Sequence, residues 1–230
     1  MSDEIPSLTD FAGKARLFPL PNLVLFPHVM QPLHVFEPRY RLMTADALAG
    51  DRLIGLILLK PGWEPHYEGK PALYPVGCLG KIVAEQKLED GRFNVLLRGL
   101  SRMRLRRETD QGTLYRTADV ELLEDCDPPD ADDDRELRRR LTKLVTEWLP
   151  AQGNALEQFR KLLKSDLALG ILCDIFTFAL PLELEVKQEF LEEPHVERRV
   201  RRLLERLRAN KPPAKKGEGK LKFPPEFSAN

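Results

Sequence analysis

The side chains that could do chemistry in this sequence are four histidines, three cysteines, a few serines and a run of aspartates, and their spacing argues against a reactive centre. His28, His34, His66 and His195 form no HxxxH or HExxH pair and have no cysteine at ligand spacing. His28 and His34 could meet across a bent strand pair and hold zinc, but a polar cap or a satisfied core histidine fits each one better. Cys78, Cys126 and Cys173 lie far apart, without a CxxC motif, as expected of a protein from a reducing compartment. A nucleophilic Cys78 would need a nearby base and an electropositive pocket, whereas an isolated cysteine ordinarily packs as a small hydrophobe. No glycine-rich phosphate loop with a terminal Lys-Ser or Lys-Thr is present, no GxGxxG and no GxSxG elbow. The carboxylates between Glu124 and Asp134 lack the glycine and terminal glutamate of a calcium loop, so they are expected to form a solvated, helix-capping linker. We therefore expect no enzyme activity, no catalytic residue, no metal and no cofactor.

Three other groups of residues point to binding or to structure. Trp63, His66 and Tyr67 lie on a loop rich in proline and glycine from Lys60 to Pro75, where aromatic side chains with polar tips can form a rigid contact surface. The same aromatics could instead fold back over the open end of a sheet. Together with Phe36 they are the peptide-binding candidates. Glu37 and Arg39 stand among apolar residues where a strand gives way to a helix, and are expected to act as a polar lock on the fold rather than to touch a ligand. Arg102, Arg104, Arg106 and Arg107, with Arg198, Arg199, Arg201, Arg202, Arg206 and Arg208 near the C-terminus, could contact nucleic acid. Alternation along a strand and along one helix face is equally what a solvated surface produces, and no stacking aromatics interleave the arginines, so a solvated face is preferred.

The elements that must position these residues can be read from the pattern. Between Arg16 and Tyr40 short apolar blocks are cut by Pro19, Pro21, Pro27, Pro32 and Pro38, the pattern of kinked strands and not of helix. From Pro38, Leu42, Ala45 and Leu48 recur at helical spacing up to Gly50. An unalternated apolar run from Leu53 to Leu59 fits a strand covered on both faces. Strand-like stretches over Val76 to Leu88 and Arg92 to Leu105 flank Glu89-Asp90-Gly91, a hairpin signal, and a last strand over Leu114 to Leu123 completes about six. Beyond the acidic linker Leu137, Leu141, Leu144, Val145 and Trp148 make one helical stripe. A second helix capped by Asn154 follows, then a third capped by Ser165 with Leu167, Ile171, Ile175 and Phe178 inward, a fourth after Pro181, and a last one striped by Val196, Val200, Leu203, Leu204 and Leu207.

Several phrases in this stretch are similar to the Lon N-terminal domain family, in particular its stand-alone bacterial members. They are Leu17-Phe18-Pro19-Leu20, Leu25-Phe26-Pro27, Pro32-Leu33-His34-Val35-Phe36-Glu37-Pro38-Arg39-Tyr40, Gly77-Cys78-Leu79-Gly80-Lys81-Ile82 and Asp90-Gly91-Arg92-Phe93 through Arg102. The resemblance implies an α+β chain: an N-terminal PUA-like β-barrel with a short helix, followed by a C-terminal helical bundle. It also implies a non-catalytic protein- or peptide-binding module, acting as an adaptor or holdase for unfolded or apolar segments, in company with a protease or chaperone. The ATPase and Ser-Lys peptidase modules of full-length Lon proteases have no counterpart here, so peptidase activity is not expected. An RNA-binding PUA-like module is the alternative.

Composition bounds the rest. The 230 residues, 42% hydrophobic, can bury a core, and 36 basic residues balance 36 acidic ones, which argues against a chain-wide nucleic-acid partner. The acidic start is unlike a signal peptide, and no apolar run reaches the roughly 20 residues of a membrane span. A cytoplasmic protein without membrane contact is expected. The expected organisation is a flexible leader at 1–15, the barrel at 16–124, an acidic linker at 125–134, the helical bundle at 135–209 and a disordered tail at 210–230.

Overall fold

The structure, a computed structural model, describes residues 8, 11–128, 130–148 and 154–210. Most of the expected leader and nearly all of the expected tail lie outside the described residues. Among those described the chain forms six strands and then, apart from one early helix, a run of five helices. The strands are β1 (Lys14–Leu20), β2 (Met30–Val35), β3 (Leu53–Leu58), β4 (Val76–Lys87), β5 (Phe93–Thr109) and β6 (Thr117–Leu123). Helix α1 (Pro38–Ala49) follows β2, and α2 (Ala131–Trp148), α3 (Asn154–Lys164), α4 (Leu169–Ala179), α5 (Leu184–Glu192) and α6 (Val196–Ala209) follow the sheet.

The sheet order is β2-β5-β4-β3-β1-β6, and the long β5 also pairs with β6, so β5, β4, β3, β1 and β6 close into a ring. Only the β1–β3 pair is parallel among these ladders. Ala15, Leu17, Leu79, Met103, Ala118 and Val120 form the core of the ring. Gly55 has no side chain because Met103 occupies the space: a Cβ there would lie 2.4 Å from Met103 Cε. A larger core lies outside the ring and joins Phe26 of the β1–β2 segment, Val35, Cys78 and Leu97 of the sheet and Met43 of α1 to Leu141, Leu172, Phe176, Phe190 and Leu203 of the helices. The hairpin falls where Asp-Gly places it, with Gly91 at φ 82°. Proline at the first position of α1 starts that helix, as its fixed φ allows.

Several local expectations give way. The first strand begins at Lys14, inside the expected leader, and Leu8 and Phe11 pack against the core of the ring. The acidic linker is shorter than expected, because α2 starts at Ala131 with Asp132, Asp133 and Asp134 in its first turn, where carboxylates meet the positive helix end. Ser165 does not cap α4; its hydroxyl donates to the Leu162 carbonyl at the end of α3 (2.7 Å), and α4 begins after Ala168 with no side-chain cap. The face of α4 is also rotated. Ile171, Ile175 and Phe178 are half-buried, while Leu169, Leu172, Cys173, Phe176 and, unexpectedly, Asp174 and Thr177 are buried. In α2 and α6 the expected stripes hold, with Leu144 half-buried.

Candidate functional site

The corner between β2 and α1 brings most of the candidate residues together. Backbone amides of Tyr40 and Arg41 donate to the Glu37 carbonyl (3.0 and 2.8 Å), closing the first turn of α1 and fixing the Glu37 and Arg39 side chains beside one another. Arg39 Nε and Nη2 lie 3.0 and 2.8 Å from Glu37 Oε2, and Arg39 Nη1 donates to the Tyr67 carbonyl at 3.2 Å. Tyr67 in turn donates its hydroxyl to Glu37 Oε1. The Arg39 guanidinium sits 4.7 Å from the Tyr40 ring centroid and 4.8 Å from that of Tyr67, within cation–π range. Burial, followed by the bond to Glu37, pushes the Tyr67 phenol up to about 12, so it is a neutral donor at physiological pH.

Trp63 meets Tyr67 edge to face, with centroids 5.4 Å apart. The loop is thus tied at Tyr67, which leaves Trp63 half-buried and His66 exposed. Phe36, next to Glu37 in sequence, is 39% exposed and stacks against His34. His34 Nδ1 lies 2.7 Å from Asn94 Oδ1 and Arg92 Nη1 lies 3.2 Å from His34 Nε2, so the ring bridges Asn94 and Arg92. Glu37→Ala is expected to lower stability by about 1–2 kcal/mol, because it leaves Arg39 and the Tyr67 hydroxyl without their acceptor. A urea titration of the two proteins measures the loss; unchanged stability with lost ligand binding would contradict the structural role.

A second polar cluster was not foreseen. Arg102 is 2% exposed and Arg199 0%, so neither belongs to the solvated faces assigned to them from sequence. Arg102 donates to the Leu191 carbonyl (3.1 Å), Asp125 Oδ1 (2.9 Å) and Asp174 Oδ1 (2.6 Å). Arg199 donates to both oxygens of Asp125 (2.8 and 2.6 Å) and to the Glu193 carbonyl (3.0 Å), and its Nε lies 3.6 Å from Asp174 Oδ1. Two cations and two anions from β5, the segment after β6, α4 and α6 therefore neutralise one another between sheet and helices. Asp125, whose side chain stays 30% exposed, is anchored by both arginines at the start of the linker. Burial pushes Asp125 up, but the hydrogen bond from Arg199 and the charges of Arg102 and Arg199 more than offset it and hold the carboxyl below its ordinary range. Burial dominates at Asp174 and raises it, against the pull of both arginines.

Arg104 and Arg106, on the same face of β5 as Arg102, emerge past the cover of the helices and pair with Glu121. One signal for Arg199 was present: it stands three residues after Val196, within the spacing of the buried stripe. Nothing in the sequence pointed to its partners, which lie far away along the chain.

Burial pushes the thiols of Cys78 and Cys173 up to about 12, so they stay protonated at neutral pH, while Cys126 is exposed. Among the described residues no three His, Cys, Asp or Glu side chains converge as metal ligands. No described helix is long and apolar enough to cross a membrane.

Comparison with known proteins adds a family. The model of the ATP-dependent protease La (LON) substrate-binding domain matches residues 14–209. The chain is 26% identical over 198 residues to a Lon protease of Anaeromyxobacter dehalogenans, covering 86% of this chain and 23% of that one. It is 27% identical over 197 residues to Lon protease 1 of Bdellovibrio bacteriovorus, covering 85% and 24%. It spans about a quarter of the length of these curated relatives. Two solved structures share the fold. A Lon N-terminal domain protein from Xanthomonas campestris superimposes with a TM-score of 0.60 at 24% identity, over 84% of this chain and 97% of that one. The N-terminal domain of Mycobacterium avium complex Lon protease does so with 0.62 at 16% identity, over 86% and 98%.

Proposed function

The chain belongs to the Lon protease substrate-binding domain family, and from that premise we propose that it is a non-catalytic receptor for unfolded or apolar protein segments. It would work as an adaptor or holdase that passes its cargo to a protease or chaperone in the cytoplasm. We read the closed sheet, from Lys14 in β1 to Leu123 in β6, as a PUA-like barrel and α2–α6, from Ala131 to Ala209, as a helical bundle docked on it. The observation that carries the proposal is the aromatic corner. Phe36 is exposed, Trp63 is half-buried, and both stand on a frame that Glu37, Arg39 and Tyr67 hold in place. Aromatic side chains held in advance on a stiff corner lose little conformational entropy on contact, so burying them against an apolar segment yields net affinity.

Recognition would run through side chains and not through strand addition. Among the described residues β2 pairs with β5 alone, but Pro32 in its middle has no N–H to donate, and its carbonyl accepts from Gln31 Nε2 at 2.8 Å. An added strand would find neither donor nor free acceptor there. RNA binding is disfavoured by pairing within the basic faces. Arg107 pairs with Asp119, Arg201 with Glu197, and Arg139 and Arg140 with Glu136, which leaves less uncompensated charge to release counterions from a phosphate backbone.

The test is a titration of labelled RNA and of a labelled, permanently unfolded protein into the chain, without ATP. It is repeated with Trp63→Ala and with Phe36→Ser, which leave the Glu37–Arg39–Tyr67 frame intact. We expect binding of the unfolded protein, with each variant weakening it by about tenfold, the size of a modest interface hot spot. Undiminished affinity in both variants would rule out the corner, and tight, steeply salt-dependent RNA binding would overturn the receptor role.

A further inference from the structure

Where the chain leaves β6, Cys126 runs beside the residues that lead into α6. The Cys126 amide donates to the Pro194 carbonyl (2.9 Å) and the Val196 amide donates to the Cys126 carbonyl (3.0 Å), a parallel bridge that pairs Cys126 with His195. Residues paired in this way carry their side chains on the same face, so thiol and imidazole are neighbours. Both reach solvent: Cys126 is exposed, and the His195 side chain is 46% exposed. The other two cysteines, Cys78 and Cys173, are buried.

His195 is held for one role. Its amide donates to Glu193 Oε1 (3.0 Å), and its Nδ1 lies 2.7 Å from the same oxygen. Burial pushes Glu193 up, but the bonds from the His195 amide and ring and the charges of His195 and Arg198 more than offset it and hold the carboxyl below its ordinary range. An ionised carboxylate only accepts, so in the neutral ring Nδ1 carries the proton and Nε2 is left to take one. A carboxylate that orients an imidazole beside a thiol is the arrangement that makes a thiol a nucleophile. The positive end of α6 opens at the same place, since Val196 is its first residue. Charge around the pair is mixed. Glu124 and Asp127 flank the cysteine in sequence, Asp125 is taken up by Arg102 and Arg199 with Asp174 beneath, and Arg198 Nη1 lies 3.9 Å from Glu193 Oε2. The unpaired carboxylates disfavour an anionic reagent, so a neutral one fits best.

We propose that Cys126, His195 and Glu193 form a thiol-modification site, at which Cys126 exchanges with a neutral low-molecular-weight disulfide. His195 Nε2 takes the thiol proton as the Cys126 sulfur attacks one sulfur of the disulfide. The Cys126–sulfur bond forms, the reagent's own S–S bond breaks, and the departing thiolate takes the proton from His195 and leaves as a thiol. One disulfide replaces another, so no further oxidant is needed. Glu193 is a positioning residue. The site is independent of the receptor reading.

The test is the rate at which hydroxyethyl disulfide, a neutral reagent that does not itself titrate, adds to the native chain, read by mass spectrometry of acid-quenched samples. One adduct is expected, on Cys126, and none in Cys126→Ser. Between about pH 7.5 and pH 6.5 the native rate is expected to fall about twofold, as an imidazole base becomes half protonated. A thiol without a base falls about tenfold over the same interval. His195→Gln is expected to slow the reaction near neutral pH by about tenfold or more and to restore the steep profile. Glu193→Gln, which keeps an acceptor for Nδ1 without the charge, is expected to lie between the two. The His195 side chain makes no cap bond to α6, so its replacement leaves the helix start intact, and circular dichroism checks the fold. If the variant does not fold, the native profile, set against that of the same chain in urea, decides alone. A tenfold fall in the native chain, equal rates in the native and His195→Gln chains, or adducts on Cys78 or Cys173 ahead of Cys126 would overturn the proposal.

Discussion

Arg199→Leu is expected to lower the free energy of unfolding by about 3–5 kcal/mol, the loss that follows when one partner of a buried ion pair is removed. Arg199 gives Asp125 a two-pronged hydrogen bond and lies beside Asp174, so its loss leaves two carboxylates facing Arg102 alone. Leucine is shorter than arginine, so a cavity at this buried position adds to the electrostatic loss. Urea unfolding followed by circular dichroism measures it. Because the four charges come from β5, the segment after β6, α4 and α6, the transition is also expected to lose cooperativity, the helices melting ahead of the sheet. Arg201→Leu, two residues away on the exposed face and paired with Glu197, is the control and should change stability by less than about 1 kcal/mol. Equal effects for the two arginines would contradict the account of the network.

Gly99→Ala is expected to cost about 3 kcal/mol or more, through overpacking of rigid backbone. A Cβ at Gly99 would lie 2.1 Å from the Phe26 carbonyl oxygen and 2.9 Å from its carbon. The Phe26–Val29 segment crosses β5 here, with the His28 amide donating to the Gly99 carbonyl (2.9 Å) and the Gly99 amide donating to the Val29 carbonyl (2.8 Å). Backbone cannot swing aside as a side chain does, so both bonds stretch when the segment lifts. Gly62→Ala makes the comparison: its φ of 83° is strained for alanine, but nothing lies within 4 Å, so roughly 1 kcal/mol is expected. Thermal midpoints of the two variants decide the point, and a Gly99 variant no less stable than the Gly62 variant would refute the close crossing.

Local grammar made much of the fold legible. Prolines between Pro19 and Pro38, the Asp90-Gly91 turn, the start of α1 at Pro38 and the stripes of α2 and α6 all follow from rules acting within a few residues. The face of α4 was not legible, because the stretch from Leu167 to Leu182 is apolar nearly throughout and gives no contrast to set a phase. Its orientation is fixed by Asp174, whose partner Arg102 lies 72 residues away. Arg102 was misplaced for a related reason: alternation identifies its face correctly, but not that the helices cover that face at Arg102 and leave it bare at Arg106. At the aromatic corner Tyr67, bound to Glu37 and Arg39, joins into one unit what residue types alone divide into a contact surface and a polar lock.

Gly170 shows how tightly the helices close on the network. A Cβ there would stand 2.6 Å from Asp125 Oδ2 and 3.0 Å from Arg199 Nη2. The start of α4 therefore passes directly over the Asp125–Arg199 pair, and the helices and sheet behave as one framework behind the aromatic corner. On the proposed reading, stability and recognition are separated in space, with buried charge serving the first and the half-exposed aromatic surface the second.

The most direct measurement is fluorescence anisotropy of one labelled protein in two forms, folded and permanently unfolded, titrated with the native chain in the absence of nucleotide. A receptor for exposed apolar segments should bind the unfolded form with a dissociation constant on the order of micromolar and leave the folded form free. Equal binding of both forms, or of neither, would contradict it.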